Sequence, residues 1–263
     1  MRACPGLTLA CAAALALVAA GPARSGVRLL APGEEMAPLD AFRFSRPGAS
    51  GSDKAPQLAP VRVAAEGEAG ALERLTPRAA PIEIVEPSQN PDLVVDIAAR
   101  LVRVRGEIIA RDVGADEVAA VVDRFALGEA LPRAFARRSL PVRVTGSGTR
   151  HGSEAAQIEV SGVAGRALVL FSVSGEGVVR ELYPLGGEPR VVAEPTFRAS
   201  FGARPPYGAD LIVAVAAAAP MPALEDGVRE LAGRPAAGQV LQLLALAAPP
   251  DARIGAVVVP GAP

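Results

Sequence analysis

The chain has very few of the side chains on which most enzymatic chemistry depends. His151 is its only histidine and Lys54 its only lysine, and both cysteines, Cys4 and Cys11, fall within the first 25 residues. Catalytic thiols, Schiff-base lysines and His/Cys metal sites need such groups in positioned sets. If residues 1–25 are removed, no thiol remains for a disulfide or for catalysis. The sequence therefore predicts a non-catalytic protein with no cofactor and no metal site.

Aromatic residues and net charge are also scarce. The chain has no tryptophan, 3% aromatic residues and a formal net charge of −1. Its hydrophobic half is mostly alanine and valine beside many glycines and prolines, a composition that favours strands and linkers over helix bundles. A charge this close to zero gives no general attraction to nucleic acid or anionic lipid. We therefore expect no nucleic-acid partner.

The first 25 residues have the pattern of an export signal. Arg2 is followed by the apolar run Leu7–Ala20, and small residues stand at Ala20, Ala23 and Ser25. About 14 apolar residues are fewer than the roughly 20 that a membrane-spanning helix needs. The pattern predicts a cleaved signal peptide over 1–25, hence a periplasmic or secreted protein with no stable membrane span after cleavage.

Residues 26–87 show no sustained hydrophobic period. The segment is rich in proline, glycine, alanine and serine, as in SRPGASGSDKAPQLAP. Such a composition buries too little apolar surface to offset the entropy lost on ordering. We predict a mostly disordered linker over 26–87, with the apolar fragments Pro60–Val63 and Ile82–Val85 as candidates for pairing with the edge of the following domain.

Residues 88–263 are predicted to form one globular α+β domain, a β-rich mixed or antiparallel sheet or sandwich with a few flanking helices. The predicted strands are Leu93–Ile97, Leu101–Val104, Glu107–Ala110, Pro141–Val144, Gln157–Val160, Leu168–Val173, Val178–Tyr183, Arg190–Val192, Thr196–Ser200, Leu211–Val215 and Ile254–Val259. The glycine-containing turn 174–177 between two of them predicts a β-hairpin.

Four segments have the spacing of helices. In Ala115–Phe125, the apolar residues recur at i, i+3, i+4 and i+7, which is one helical face. A second short helix is predicted over Leu127–Arg138, broken or started near Pro132. Apolar periodicity also predicts helices over Leu224–Leu231 and Val240–Leu246.

No grouping of the polar residues specifies a reaction. His151 lies in a polar loop, and the nearby Ser147 and Ser153 lack the Gly-x-Ser-x-Gly context of a nucleophile. The turn 174–177 lacks both the spacing and the following helix of a phosphate loop. We interpret His151 as a surface residue and the turn as part of a hairpin.

One basic cluster and two tyrosines are candidate contact residues. The cluster consists of Arg133, Arg137, Arg138 and Arg143, which form either a solvated face or a partner surface. Tyr183 and Tyr207 stand beside prolines at strand ends, where tyrosine more often lies at the rim of a core with its hydroxyl bonded to backbone. Asp210 has the position of a turn or cap acceptor.

Two stretches resemble a known family. Residues 168–185, LVLFSVSGEGVVRELYPL, and 204–216, RPPYGADLIVAVA, resemble segments of the accessory domain, of unknown function, that follows the peptidase domain in bacterial caspase-like proteins. The resemblance spans roughly Pro91 to Val259. Its motif residues, which we expect to be structural, are Gly175, Gly177, Leu182, Tyr183, Pro184, Pro206, Tyr207, Gly208 and Asp210.

The resemblance implies the accessory module without the protease. Caspase-like peptidases need a histidine and a cysteine on a domain of their own, and no cysteine follows residue 11. The resemblance therefore implies a non-enzymatic binding or regulatory module whose partner is another protein, contacted through a sheet edge. Two alternatives stay open: a carboxylate-based hydrolase of envelope polymers, which requires two acids converging in a concave pocket, and a structural envelope component that self-associates.

Overall fold

The computed structural model describes residues 56–67, 69–145, 155–202 and 208–259. The predicted signal peptide, the predicted linker up to residue 55, Lys54 and His151 lie outside these ranges. So do two of the motif residues, Pro206 and Tyr207.

The described residues form thirteen β-strands and three α-helices. The strands are β1 Val61–Glu66, β2 Ile82–Ile84, β3 Leu93–Asp96, β4 Leu101–Val104, β5 Glu107–Arg111, β6 Val142–Thr145, β7 Ala155–Ser161, β8 Arg166–Val173, β9 Val179–Tyr183, β10 Val191–Val192, β11 Thr196–Gly202, β12 Asp210–Ala217 and β13 Arg253–Val259. The helices are α1 Val118–Ala134, α2 Pro222–Leu231 and α3 Ala237–Ala247. The prediction of a β-rich α+β fold is confirmed.

The first sheet has the strand order β2-β1-β3-β4-β5. Strand β1 pairs parallel to both β2 and β3, and β3, β4 and β5 form an antiparallel meander. The predicted meander between residues 93 and 110 is therefore confirmed.

The linker prediction is wrong for the described residues of 56–87. Strand β1 lies inside the first sheet, with Val61, Val63 and Ala64 buried, and Leu72 is buried in the same core. The predicted pairing of the two apolar fragments is confirmed, but β1 has a neighbour on each side and is no edge addition. The short apolar runs between prolines are enough to form strands here, because they share a buried core with β3 and α1.

Helix α1 is a single helix, which corrects the prediction of two. Pro132 lies in its last turn, where a missing N–H costs one hydrogen bond near the end of the ladder. Phe135, just after the helix, still donates its N–H to the carbonyl of Leu131. A proline at this position therefore does not interrupt α1.

The second sheet lies at the centre of the fold. Its order is β10-β8-β12-β13, with β9 also paired to β8, so the predicted β8–β9 hairpin is confirmed. Val169, Phe171 and Val173 of β8 pack in one core with α1, α2, α3 and the first sheet, whereas Leu168 and Leu170 pack toward the third sheet. Burial on both faces accounts for the nearly continuous apolar runs of β8 and β12.

The third sheet, of order β11-β7-β6, covers the other face of the second. Ile158 and Val160 of β7 share a buried cluster with Leu168, Leu170 and Ile212 of the second sheet. These two sheets form a β-sandwich. None of the helices in the described ranges is long and apolar enough to cross a membrane.

Candidate binding cleft

A cleft of about 630 Å³ opens between the second and third sheets. Strands β9 and β12 line one side of the cleft, and β11 lines the other. The volume lies in the range of ligand-binding pockets in proteins. The cleft is therefore a candidate binding site.

The side formed by the second sheet is polar. Ser172 of β8 is paired in register with Arg180 of β9 and with Ile212 of β12, and Asp210 stands two residues before Ile212. Alternation along the strands puts Ser172 on the same face as Leu168 and Leu170, toward the third sheet. Ser172, Arg180 and Asp210 all line the cleft. These three polar side chains thus lie at the end of the apolar interior of the sandwich, where the cleft opens.

The side formed by β11 is apolar. Phe197, Ala199 and Phe201 alternate with the exposed Arg198 and Ser200, and they are only partly buried where they line the cleft. The ring of Phe197 lies 4.6 Å from that of Tyr183, with the ring planes tilted by 52°. An occupant of the cleft would therefore meet aromatic surface on one side and charge on the other.

The charged groups of the cleft differ in whether they are already engaged. Glu181 forms an ion pair with Arg229 at 3.5 Å, and Glu188 accepts a hydrogen bond from the N–H of Leu185 at 2.7 Å. Arg180, which is half-buried, has no hydrogen bond or ion pair within the described part of the chain. Of the described residues that line the cleft, Arg180 is a cation outside any ion pair, and its charge acts on the Glu176 carboxylate.

A buried charge cluster lies where β12 begins. Arg124 of α1 is 4% exposed and donates a hydrogen bond from Nη2 to the carbonyl of Ala209 at 2.6 Å. Burial lowers the pKa of Arg124 to about 10, against the opposing effect of the Asp210 and Glu176 carboxylates. The cluster ties α1 to the strand that carries Asp210.

Glu176 belongs to the same cluster. Its carboxylate accepts a hydrogen bond from Ser174 Oγ at 2.8 Å, and burial raises its pKa, with the charge of Asp210 acting in the same direction and that of Arg180 opposing it. Its other oxygen, Oε1, is buried without a hydrogen-bond partner among the described residues, as is Nε of Arg124. Glu176 and Asp210 therefore form an interacting pair of acids, but only Asp210 lines the cleft.

Two motif glycines contact the same residue of strand β5 in the first sheet, and a third contacts helix α1. A β-carbon placed on Gly175 would lie 2.4 Å from the carbonyl oxygen of Ile109, and one on Gly208 would lie 2.7 Å from the same atom. Ala209 donates its N–H to that oxygen at 2.9 Å. Gly177, at φ +82°, has the carbonyl oxygen of Ala120 in the corresponding position at 2.9 Å. A side chain at any of these three glycines would collide with backbone atoms.

The other motif residues that the structure describes, Leu182, Tyr183, Pro184 and Asp210, lie at or next to the cleft. Tyr183 is buried, and its hydroxyl donates a hydrogen bond to the carbonyl of Pro189. Burial raises the pKa of Tyr183, with the charge of Glu188 contributing. Leu182 packs against the buried cluster of the sandwich, and the bond from Tyr183 to Pro184 is cis. The motif thus lies at the hairpin and at the cleft.

The predicted basic cluster is dispersed into separate contacts. Arg133 pairs with Glu129 at 2.8 Å, Arg143 pairs with Glu159 at 3.3 Å, and Arg138 donates to the carbonyls of Pro249 and Pro250. Arg137 is exposed. Three of the four arginines therefore bind groups of their own chain, and a partner surface built on them stays a prediction.

A second cleft, of about 640 Å³, lies between the start of β1 and α1. It contains none of the motif residues, and its Arg133 already pairs with Glu129. Within the described ranges, no three His, Cys, Asp or Glu side chains are grouped as a metal site would require. The cleft between the sheets combines motif residues with the half-buried Arg180, whereas Arg105 of the second cleft is exposed.

The sequence interpretation missed Ser172 and Arg180. A usable signal existed for Ser172, because it is the one uncharged polar residue in the strand RALVLFSV. A polar side chain in a run that is otherwise buried usually has a specific partner or a specific role. Arg180 gave no such signal, since a charged pair such as Arg180-Glu181 is ordinary on a half-exposed strand and the direction of the side chain depends on the pairing register.

The chain was compared with protein-family models, curated proteins and solved structures. No family model, curated protein or solved structure matches it. The resemblance to the accessory domain of caspase-like proteins therefore stays a prediction, and the function has to be argued from the geometry of the cleft.

Proposed function

We propose that this protein is a non-enzymatic, exported binding module that holds an extended segment of another protein in the cleft between its second and third sheets. The observation behind this proposal is that β11 borders the cleft and that its residues Thr196–Ser200 pair with β7 but with no second strand among the described residues. Such an edge offers a row of backbone donors and acceptors to an added strand. The expected signal peptide and the resemblance to an accessory domain support the same proposal.

The edge of β11 that faces away from β7 is considered over Thr196–Ser200. All seven residues of β11 pair with β7 on one side, and Thr196–Ser200 form no ladder with a described strand on the other. The strand TFRASFG contains neither the proline nor the lysine that often blocks an edge. β-augmentation needs an edge of this kind.

Two other sheet edges, β2 and β13, are less suitable than β11. Strand β2 has three residues and lies between Pro81 and Pro87. Strand β13 is partly covered, because Leu140 donates its N–H to the carbonyl of Ile254 at 3.0 Å. The geometry therefore favours β11 as the docking edge.

Site-specific photocrosslinking in cells that produce the protein tests this proposal. A benzophenone amino acid at Ser200, which borders the cleft, should yield a discrete adduct with another protein. The same benzophenone at Glu107, an exposed position on β5, is the matched control. Identical adduct patterns at the two positions, or none at Ser200, would contradict the proposal.

A carboxylate-based hydrolase of envelope polymers is the second candidate. The observation in its favour is the interaction of Glu176 with Asp210 and the raised pKa of Glu176, since a general acid needs a raised pKa. Release of soluble fragments from purified cell-wall polymer should then disappear in both Glu176→Gln and Asp210→Asn. No release by the unsubstituted protein would remove this candidate.

A further inference from the structure

We propose that the cleft recognises a carboxylate next to an apolar side chain on its extended peptide partner, with Arg180 binding the carboxylate. This inference rests on the proposed function and specifies the chemistry of the partner. Neither the motif residues nor the basic cluster predicted from the sequence includes Arg180.

Arg180 is placed to contact a group that enters the cleft. The residue lines the cleft, half-buried, and the ion pairs of the described residues leave its guanidinium without a carboxylate within 4 Å. The planar guanidinium presents N–H donors in the fork that matches a carboxylate. Partial burial in a cleft strengthens such a bond, because less water competes for the charge.

The surrounding charges select the kind of anion. Glu181, Glu188 and Asp210 line the same cleft. Glu181 is already paired with Arg229, and the repulsion from these acids grows with the negative charge of the bound group, so a dianion is penalised more than a single carboxylate that Arg180 can bind. The cleft therefore favours a monoanionic carboxylate over a phosphate group.

The opposite side of the cleft defines the neighbouring residue. Phe197 and Phe201 of β11 line it and are only partly buried. A strand added to β11 alternates its side chains between the two faces, so one apolar side chain can pack beside the ring of Phe197. The carboxylate can come from a chain terminus or from an Asp or Glu side chain.

Two random peptide libraries separate these sources. One displays peptides with free C-termini and the other displays them internally, and each is selected against the full 263-residue chain. We expect enrichment of peptides with a carboxylate within one or two residues of Phe, Leu, Ile or Val. Enrichment only with free C-termini assigns the terminal carboxylate, and enrichment in both libraries assigns the acidic side chain.

Fluorescence anisotropy with the best enriched peptide then tests Arg180 directly. Arg180→Gln should weaken binding about tenfold or more, and Arg180→Lys should weaken it less because the charge is kept. Replacing the carboxylate of the peptide by an amide should weaken binding to the unsubstituted protein, with little further loss in Arg180→Gln. Arg105→Gln, at an exposed arginine in the turn between β4 and β5, should leave the affinity within about twofold.

The outcomes distinguish the inference from the proposed function. Enriched peptides without a carboxylate, bound equally by Arg180→Gln, would overturn the inference and leave the binding module standing. No enrichment on the unsubstituted protein would count against both. Thermal melts of both Arg180 variants show whether a lost affinity reflects lost folding, and Arg180→Lys supplies the test if Arg180→Gln does not fold.

Discussion

At the residue scale, two glycines determine how the hairpin and β12 approach the first sheet. Gly175 and Gly208 each face the carbonyl oxygen of Ile109 at a distance that leaves no room for a side chain. The contact is with backbone, so a rotamer change cannot relieve it. These positions require glycine for reasons of space, and no positive φ is involved at either.

Gly175→Ala and Gly208→Ala should each lower the free energy of unfolding by about 1–3 kcal/mol, because the added methyl group forces the backbone of β5 to move. Gly186→Ala is the matched control, since a methyl group added there would meet no atom within 4 Å beyond its chain neighbours. Urea unfolding of the three variants measures the difference. Equal stabilities would show that the close approach to Ile109 is not maintained in solution.

The buried acids predict a specific dependence on pH. Burial raises the folded-state pKa of Glu176 above its unfolded value. Below the unfolded pKa both states are protonated, and as the pH rises the unfolded state releases its proton first, which reduces stability. Glu176→Gln should therefore be increasingly favourable, relative to the unsubstituted protein, as the pH rises from about 4 to about 7.

Asp123→Asn should change the pH dependence of stability in the same direction as Glu176→Gln. Burial raises the pKa of Asp123, although its Oδ1 accepts hydrogen bonds from the N–H groups of Ala79 and Ala80. An asparagine oxygen can accept both bonds without a charge to bury. Urea unfolding at several pH values between about 4 and about 7 gives the comparison, and a difference from the unsubstituted protein that does not change with pH would contradict the prediction for either residue.

At the scale of elements, the sequence predicted most strands from Leu93 onward because their apolar runs are continuous or alternate clearly. It failed for the described part of 56–87, where β1 is short and lies between proline-rich stretches. It also predicted a break in α1 at Pro132. The cost of a proline depends on how close the helix end lies, and the sequence did not show that α1 ends two residues later. Both errors concern elements whose stability comes from tertiary packing rather than from local pattern.

Strand β1 supplies a direct test of this correction. Val63→Ala should lower the free energy of unfolding by about 2 kcal/mol, because Val63 is fully buried between β2 and β3. Ile84→Ala, at an aliphatic residue that is 48% exposed on β2, should change it by less than about 0.5 kcal/mol. Chemical denaturation measures both. A linker over this segment would make both substitutions silent.

The candidate cleft was only partly predictable. Tyr183 and Asp210 stood out because they flank prolines and turns in the two motif segments. Arg180 did not, since its direction follows from the register of β9 on β8, which shifts at a bulge between Leu170 and Phe171. A sequence without aligned relatives carries no marker for that shift.

At the scale of the whole molecule, one buried core joins the first two sheets and all three helices. Val63 of β1, Val121 of α1, Val213 of β12 and Leu244 of α3 belong to it. The first sheet therefore has no separate core of its own. Stability should be shared across this boundary.

Native-state hydrogen exchange tests the shared core. Val63→Ala should reduce the protection of slowly exchanging amides in β3 and in β12 by the same factor, because both open only in global unfolding. Ile84→Ala should leave both sets unchanged. A loss of protection confined to the first sheet would indicate two independently unfolding units.

The contact with the main-chain oxygen of Ile109 also limits which second mutations can compensate for a substituted glycine. Because no side chain on β5 causes the closest crowding at Gly175 and Gly208, no smaller residue at 109 or 110 can make room for a substituted glycine. Second-site suppressors of Gly175→Ala should therefore arise elsewhere in the molecule, as general stabilisers, and they should rescue Gly208→Ala equally well.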